Sequence, residues 1–362
     1  VADSIRYFTS LRDAAASAER ARWVREIVYH RYRLDPADAD AACLAELGAI
    51  GANAPDVRDL ADAILTEVVP PDRVSPAVRA RASYVLAYDR LSDPRLLGDD
   101  ERLRVEGWLK TIEVPPDVRG PAVDPARLAF LRGRLALGDG DTAAAAEACA
   151  AGLDHPADVV NEVDLRTLHA DTLAAQRDFD AAIDERRKAC DLAGKAPDAP
   201  TRRRCVDLAL ALGAALAGRD RLEEAADAFE SAWREAERRR TEPGSGIATA
   251  ARALLGLVDA NVRMGRERRA VALGEERVGE LRAWGAGAGA SGLSDAGVVA
   301  HVEAEIRLAD GQPDRAAQAL AAALGPTAVA SAASPTPAGG AGIGPGSIAW
   351  VDSGGALRVG PE

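Results

Sequence analysis

The sequence is poor in the residues from which metal sites, disulfide frameworks and aromatic cores are built. Its 362 residues include four cysteines, four histidines, one methionine and 4% aromatic residues. No two cysteines form a C-x-x-C pair, so buried free thiols are expected instead of metal ligands or disulfides. No apolar run reaches the length of about 18 residues that a membrane-spanning helix needs. The core must therefore be built mainly from Ala, Leu and Val.

Sequence motifs of catalytic sites are absent as well. The chain contains no H-E-x-x-H, G-x-S-x-G or P-loop string. The glycine runs at 285–292 and 339–346 lack the strand-to-helix context of a phosphate-binding loop and are interpreted as loops. The acidic string of Asp35, Asp38 and Asp40 lacks the glycine and distant glutamate of a calcium loop. The sequence predicts that the protein is not an enzyme and has no cofactor and no metal.

The charge distribution argues against a nucleic-acid binder. The formal net charge is −12 and the isoelectric point is about 5.0. The arginine clusters at 202–204, 238–240 and 266–269 are short and alternate with acidic residues, which is typical of solvated helix surfaces. The chain has only three lysines, a skew typical of a high-GC bacterial genome. We expect a cytoplasmic protein without direct contact to nucleic acid or membrane; a removed signal stays open because Val1 is not a Met.

A unit that recurs five times between residues 123 and 325 is the main positive signal. Each unit joins two apolar-periodic helices by a short turn rich in Gly, Asp and Arg. An alanine stands early in each second helix, at positions 145, 182, 225, 270 and 316. Small residues recur at two fixed offsets, which predicts closely packed helices. The residues twelve positions before the alanines are Gly133, Ala170, Gly213, Val258 and Ala304, and those seven positions after are Gly152, Ala189, Ala232, Arg277 and Ala323.

This pattern resembles the tetratricopeptide repeat (TPR). The segment LGAALAGRDRLEEAADAFESAWREA at 212–236 is the closest match, with Gly213, Leu216, Leu222, Ala225, Phe229 and Ala232 in register. The units are longer than the usual repeat, and the unit around Ala270 departs from the pattern at Gly274 and Arg277. The resemblance implies an all-α fold, a right-handed TPR-like solenoid of helix pairs whose first helices line a concave groove.

Composition divides the chain into four regions. Residues 1–122 show helical spacing without a clean register and are predicted to continue the solenoid, a separate helical domain being the alternative. Residues 123–325 form the TPR-like array. Residues 326–346 are mainly Ala, Pro, Gly and Ser, which predicts a low-complexity linker. Residues 347–362 contain two short apolar runs around Asp-Ser-Gly-Gly, which predicts a C-terminal β-hairpin or the start of a further domain.

The resemblance also implies which side chains face the groove. Offsets from the five marker alanines place three positions of each first helix toward a ligand, and four of the five units carry an acidic residue there. An acidic groove with an apolar floor would suit a basic peptide or helix; ordinary helix solvation is the alternative. The predicted groove residues are Arg127, Phe130, Arg134, Asp164, Thr167, Asp171, Asp207, Leu210, Arg252, Leu255, Asp259, His301 and Glu305.

The predicted function is that of a protein–protein interaction scaffold, which binds a peptide or a partner helix in the concave groove. One alternative is a sensor or regulatory arm of a larger bacterial signalling or transcriptional regulator. A second alternative is an enzyme with an unrecognised site. Neither the partner's identity nor the oligomeric state follows from the sequence.

Overall fold

The computed structural model describes most of the chain as α-helix. The described residues are 2–14, 17–49, 55–66, 73–92, 97–113, 123–156, 158–196, 199–240, 247–287, 293–324, 347–351 and 357–361. Within these ranges the chain forms sixteen helices and two short strands. The fold is therefore an all-α helical repeat, and its hydrophobic core is built mostly from Ala, Leu and Val, as the composition predicts.

Six helices precede the array. They are α1 (Ala2–Ala14), α2 (Ser17–Leu34), α3 (Pro36–Ala49), α4 (Pro55–Leu65), α5 (Pro76–Arg90) and α6 (Asp99–Glu113). A proline opens α3, α4 and α5, at a position where the missing N–H has no intrahelical partner to lose. Ser75 caps α5, because its side chain accepts a hydrogen bond from the Val78 N–H (3.3 Å).

The array consists of five helix pairs. Its helices are α7 (Pro125–Gly138), α8 (Thr142–Leu153), α9 (Val159–Ala175), α10 (Phe179–Lys195), α11 (Ala199–Ala217), α12 (Leu222–Arg238), α13 (Ile247–Arg263), α14 (Glu267–Gly287), α15 (Leu293–Ala309) and α16 (Pro313–Leu324). The two helices of each pair pack together, and each second helix packs on the next first helix. First helices also contact each other directly, α7 with α9, α11 with α13, and α13 with α15. α7 and α9 therefore lie side by side, and so do α11, α13 and α15.

The turn inside each pair has the same geometry in all five units. The residue five positions before the marker alanine adopts a positive φ: 78° at Gly140, 66° at Arg177, 56° at Asp220, 71° at Gly265 and 70° at Gly311. The next residue donates its N–H to a carbonyl five positions back, the bond that closes a Schellman turn. This left-handed residue reverses the chain and starts the second helix.

The marker alanines and the small residues around them lie at helix contacts. All five marker alanines are at most 3% exposed. A Cβ at Gly213 would lie 2.7 Å from the Phe229 ring, and one at Gly256 would lie 2.5 Å from the same ring. The Phe229 side chain therefore fits between α11 and α13 because both helices present a glycine to it. This close approach is the packing that the repeated small residues predict.

The apolar core has a seam that separates α9, on one side, from α10 and α11, on the other. One cluster of buried side chains extends from α2 to α9, and a second extends from α10 to α15. A small third cluster lies between them and consists of Val163, Ala189, Ala193 and Leu208. The first cluster contains residues from both sides of the predicted boundary at residue 122. The predicted division of the chain into domains stays a prediction.

Two strands, β1 (Ser347–Val351) and β2 (Leu357–Pro361), pair antiparallel with Ala349 opposite Val359. The turn predicted between them, residues 352–356, lies outside the described residues, so a complete hairpin stays a prediction. The predicted linker at 326–346 also lies outside the described residues.

Candidate functional site

Three of the predicted groove residues line one side of α7, where they contact the preceding helix pair. Arg127, Phe130 and Arg134 are three and four positions apart, a spacing that places them on the same helix face. Arg134 donates from Nε to the Leu91 carbonyl (2.9 Å), and its Nη2 donates to the Leu91 and Ser92 carbonyls. Arg134 therefore caps the C-terminal end of α5 and has few donors left for a ligand.

Two tyrosines of α5 complete this surface. Tyr84 is buried and Tyr88 is half-buried, and their ring centroids are 5.9 Å apart. The Tyr88 ring also contacts Phe130, with centroids 5.7 Å apart. Burial raises the pKa of both phenols, and the neighbouring Asp164 carboxylate raises them further. Both tyrosines are therefore neutral hydrogen-bonding groups at physiological pH.

Two arginines lie beside the Tyr84 ring. The guanidinium carbon of Arg81 is 5.3 Å from the ring centroid, and that of Arg127 is 5.9 Å away. Arg127 donates from Nη2 to Asp158 Oδ2 (2.7 Å). Arg81 has no carboxylate partner among the residues that the structure describes, and its charged neighbour is Arg127. Burial and this like charge together lower the pKa of the Arg81 guanidinium.

A buried ion pair joins this surface to α11. Asp164 on α9 is only 7% exposed and accepts hydrogen bonds from Arg204 Nη2 and from the Tyr88 hydroxyl (3.5 Å). Burial raises the pKa of Asp164, against the opposing effect of Arg204. Its charge is compensated within the protein, so Asp164 does not present free negative charge to a ligand.

The structure therefore brings together four of the predicted groove residues, namely Arg127, Phe130, Arg134 and Asp164. Sequence reasoning missed the residues that connect them. We call the whole group the tyrosine–arginine cluster; its added members are Arg81, Tyr84, Tyr88, Asp158 and Arg204. The spacing of Arg81, Tyr84 and Tyr88 along α5 was the available signal, because these residues share a helix face as their partners on α7 do.

The remaining predicted residues of α9 and α11 differ in exposure. Thr167 is half-buried and donates its hydroxyl to the Val163 carbonyl of its own helix (2.7 Å). Asp171 accepts a hydrogen bond from Arg186 Nη2 (2.7 Å). Asp207 is exposed. Leu210 is 4% exposed and packs in the second apolar cluster. Its predicted place on the groove floor stays a prediction.

Farther along the array the predicted residues lie apart from the cluster. Arg252, Asp259 and Glu305 are exposed, and Arg263 Nη1 approaches Asp259 at 3.7 Å. Leu255 and His301 are half-buried. These side chains form a sparse charged surface on α13 and α15.

A polar cleft of about 720 Å³ opens next to the seam, between α10, α11 and α12. Cys190 and Cys205 line it, and burial raises the pKa of Cys190 to about 12. Burial likewise raises the pKa of Cys43 to about 11 and that of Cys149 to about 12. These four thiols are protonated at neutral pH, so they are poor nucleophiles and poor metal ligands.

Neither a metal site nor a membrane span emerges from the described part of the chain. Its His, Cys, Asp and Glu side chains form no group of three that could hold a metal ion. None of its helices combines the length and apolar character needed to cross a lipid bilayer.

Comparison with known proteins gives only distant likenesses. No protein-family model matches the chain, and no curated protein does. Among solved structures, BtubC (BKLC) from P. vanneervenii is similar with 16% identity and a TM-score of 0.42, covering 73% of this chain and 97% of that chain. A Rap protein complexed with competence and sporulation factor has 13% identity and a TM-score of 0.37, covering 91% of this chain and 79% of that chain. Neither likeness assigns this chain to a family.

Proposed function

We propose that this protein is an interaction scaffold that binds a segment of a partner protein along its first helices. In this proposal the array is a right-handed TPR-like solenoid, and the odd-numbered helices form its concave side. Direct contacts of α7 with α9, of α11 with α13 and of α13 with α15 support a shared surface on each side of the seam, and the Asp164–Arg204 pair joins α9 to α11. Such surfaces bind extended or helical segments because they present side chains from several units at once.

The uncompensated Arg81 is the observation that carries the proposal. A half-buried guanidinium without a carboxylate, next to a second guanidinium, lowers the stability of the fold, and its cation–π contact with Tyr84 offsets only a small part of this loss. Groups held at such a cost are typical of binding sites, where the ligand supplies the missing charge. A partner carboxylate between Arg81 and Arg127 would satisfy Arg81, while Asp158 would continue to pair with Arg127.

The charge of the surface changes along the array, so a partner that is basic throughout, as the sequence predicts, would fit only part of it. Asp164 and Asp171 on α9 pair with Arg204 and Arg186, so they attract a cation only weakly. Asp207, Asp259 and Glu305 are exposed and could contact a basic group. A partner segment that spans the surface would therefore carry an acidic group near α5 and α7 and a basic group near α13 and α15.

A random peptide library selected on the immobilised full chain tests this function. We expect enrichment of peptides that contain Asp or Glu. Their affinity for Arg81→Gln should be lower than for the wild type by a factor of about ten or more, because a hydrogen bond between two charged groups is lost. Fluorescence polarisation measures the affinity. Arg79→Gln is the matched control, because Arg79 lies on the same helix but points to another side.

Two outcomes would contradict the proposal. If no peptide is enriched, the scaffold function is wrong for segments of this kind. If enriched peptides bind the wild type and Arg81→Gln equally well, the tyrosine–arginine cluster is not the binding site. Thermal unfolding serves as the folding control, since removing Arg81 breaks no ion pair within the described residues and is expected not to lower the stability of the fold.

A further inference from the structure

The first helix pair, α1 with α2, concentrates the aromatic side chains of this chain. The sequence has five Trp, five Tyr and four Phe, and five of these fourteen lie on the two helices. The Phe8 ring stacks on Trp23 (centroids 5.8 Å apart) and on His30 (5.4 Å). Tyr7 contacts Phe8 edge-on, and Tyr29 contacts His30 in the same way. We call the residues in these ring contacts the α1–α2 aromatic cluster, namely Tyr7, Phe8, Trp23, Tyr29 and His30.

Much of this apolar surface is exposed. Tyr7 is 60% exposed, Tyr29 37% and the neighbouring Leu34 55%. Aromatic side chains are otherwise scarce in this protein, and a single exposed one needs no explanation. A stacked group of them is different, because Tyr, Trp and Arg are the residues that dominate the centres of protein interfaces.

The same helix pair is positively charged, in contrast to the rest of the chain. α1 and α2 hold seven arginines and four acidic residues, whereas the whole chain has a net charge of −12. Some of these arginines are engaged within the fold: Arg25 pairs with Asp62 and Arg31 with Glu46, both at 2.7 Å. Since α1 and α2 together carry a positive net charge, the remainder of the chain is more acidic than the total charge indicates.

Two arginines of α2 are available to a partner. The Arg22 guanidinium lies 4.9 Å from the Trp23 ring centroid, and that of Arg33 lies 5.6 Å from the Tyr29 centroid. Arg33 also donates from Nη1 to the Tyr29 hydroxyl (3.2 Å). Neither guanidinium meets a carboxylate within the part of the chain that the structure describes. Each can bind a carboxylate while its aromatic neighbour contacts apolar surface.

We propose that the α1–α2 aromatic cluster docks on the acidic surface of a second copy of this chain. Charge complementarity carries the choice of occupant, because one surface of the chain is cationic and the remainder is strongly acidic. Two α1–α2 pairs facing each other would instead juxtapose like charges. The contact joins two different surfaces, so it can be made twice in a two-fold dimer or can continue head to tail.

Net repulsion between two acidic chains does not prevent this contact. At physiological ionic strength the repulsion between charges farther apart than about 8 Å is largely screened. The guanidinium–carboxylate contacts at the interface act at shorter range, where the excluded water weakens screening. Added salt is nevertheless expected to weaken the association, because salt ions compete with the guanidinium–carboxylate contacts while the two chains are apart.

Sedimentation velocity of the full chain over a wide concentration range tests the proposal. We expect the average mass to rise above that of a single chain, 37.7 kDa, as concentration rises. In Tyr7→Ser/Tyr29→Ser and in Arg22→Glu/Arg33→Glu the mass should stay at that of one chain. Since all four side chains lie at the surface, circular dichroism should show that both variants fold.

The matched control is a similar contact elsewhere in the chain. Phe179 is 40% exposed and Arg219 lies over its ring at 5.3 Å. Phe179→Ser/Arg219→Glu should associate like the wild type.

Three results would overturn the proposal. One is a single-chain mass at all concentrations, and another is association that persists in the α1–α2 variants. The third is binding of oligo-dT, without self-association, that is lost in Tyr7→Ser/Tyr29→Ser, because it would assign the cluster to nucleic acid.

Discussion

The left-handed turn position of the repeat is occupied by three different residue types, Gly, Arg and Asp. Three of the five left-handed turn positions are glycine, but the second and third units have Arg177 and Asp220 there. A side chain in this conformation brings Cβ close to a carbonyl oxygen and costs roughly 1–2 kcal/mol. The Schellman hydrogen bond and the packing of the following helix offset this cost in the intact array.

We predict that Arg177→Gly raises the free energy of unfolding by roughly 0.5 kcal/mol. Relief of backbone strain exceeds the greater freedom that glycine gives the unfolded chain, about 0.4–1 kcal/mol. Urea unfolding measures the difference. Gly140→Ala is the reverse control and should destabilise by about 1 kcal/mol, because a Cβ there meets no atom within 4 Å and only the φ of 78° opposes it. Lower stability of Arg177→Gly would refute the strain argument.

A charged residue replaces a small one in the fourth unit. Arg277 lies over the Trp233 ring at 4.9 Å and contacts Glu230 through Nη1 (2.7 Å) and Nη2 (2.9 Å). The Trp233 ring in turn stacks on Trp284, with centroids 5.5 Å apart. Arg277 therefore joins α12 to α14 through an ion pair and a stacked ring where other units use close helix packing. The hydrogen bond from Arg277 Nη2 and the positive charge of the guanidinium lower the pKa of Glu230.

Glu230→Gln should lower stability by about 1 kcal/mol at neutral pH. Since the folded-state pKa of Glu230 is below the ordinary value, its stabilising effect is complete above that value and is lost as pH falls through the folded pKa. The difference between wild type and variant should therefore shrink below about pH 4.5. Thermal unfolding across pH measures it, with the exposed Glu276→Gln as control. A difference that stays constant with pH would show that Glu230 acts through packing alone.

At the scale of the elements, helix pairs are held together by alanine and glycine. Ala225 is fully buried at the start of α12, whereas Ala226 is half-buried. Successive residues of an α-helix point about 100° apart, since one turn takes 3.6 residues. The two alanines therefore test the register of the repeat within one turn.

Ala225→Leu is expected to destabilise the protein by about 1–3 kcal/mol, because the larger side chain overpacks the contact between helices. Ala226→Leu, the matched control, should cost clearly less. Differential scanning calorimetry of both variants measures the difference. Equal shifts in melting temperature would mean that the register, and with it the assignment of groove positions, is wrong.

At the scale of the whole molecule, the seam between α9 and the helices α10 and α11 is where the two large apolar clusters separate. Apolar contact across it depends on four buried side chains, among them Leu208, and the cleft of about 720 Å³ lies alongside. The buried pair of Asp164 and Arg204 also crosses it. In a solenoid, stability is roughly a sum of unit and interface contributions, so one weak interface divides the array into two cooperative parts.

Leu208→Ala should therefore separate the unfolding of the two parts. Removal of a buried leucine side chain costs about 2–5 kcal/mol, here at the interface that couples them. Variants that keep only Trp108 or only Trp233 report on the first and second apolar clusters by fluorescence during denaturant unfolding. Coincident transitions at both reporters in Leu208→Ala would show that the core is one cooperative unit. Leu257→Ala, inside the second cluster, is the control and should shift only the Trp233 transition.

What the sequence determined by itself is local and repetitive. The helix pairs, the turns and the burial of every marker alanine follow from hydrophobic period and turn chemistry, which act over a few residues. The tertiary structure decided the chemistry of the surface. Tyr88 meets Asp164 across 76 positions, and Asp164 meets Arg204 across 40. Periodicity shows which face of a helix is polar, but the rotation of neighbouring helix pairs decides which charges meet. An apparent acidic stripe on α9 therefore became two ion pairs, and Arg81 was left without one among the residues that the structure describes.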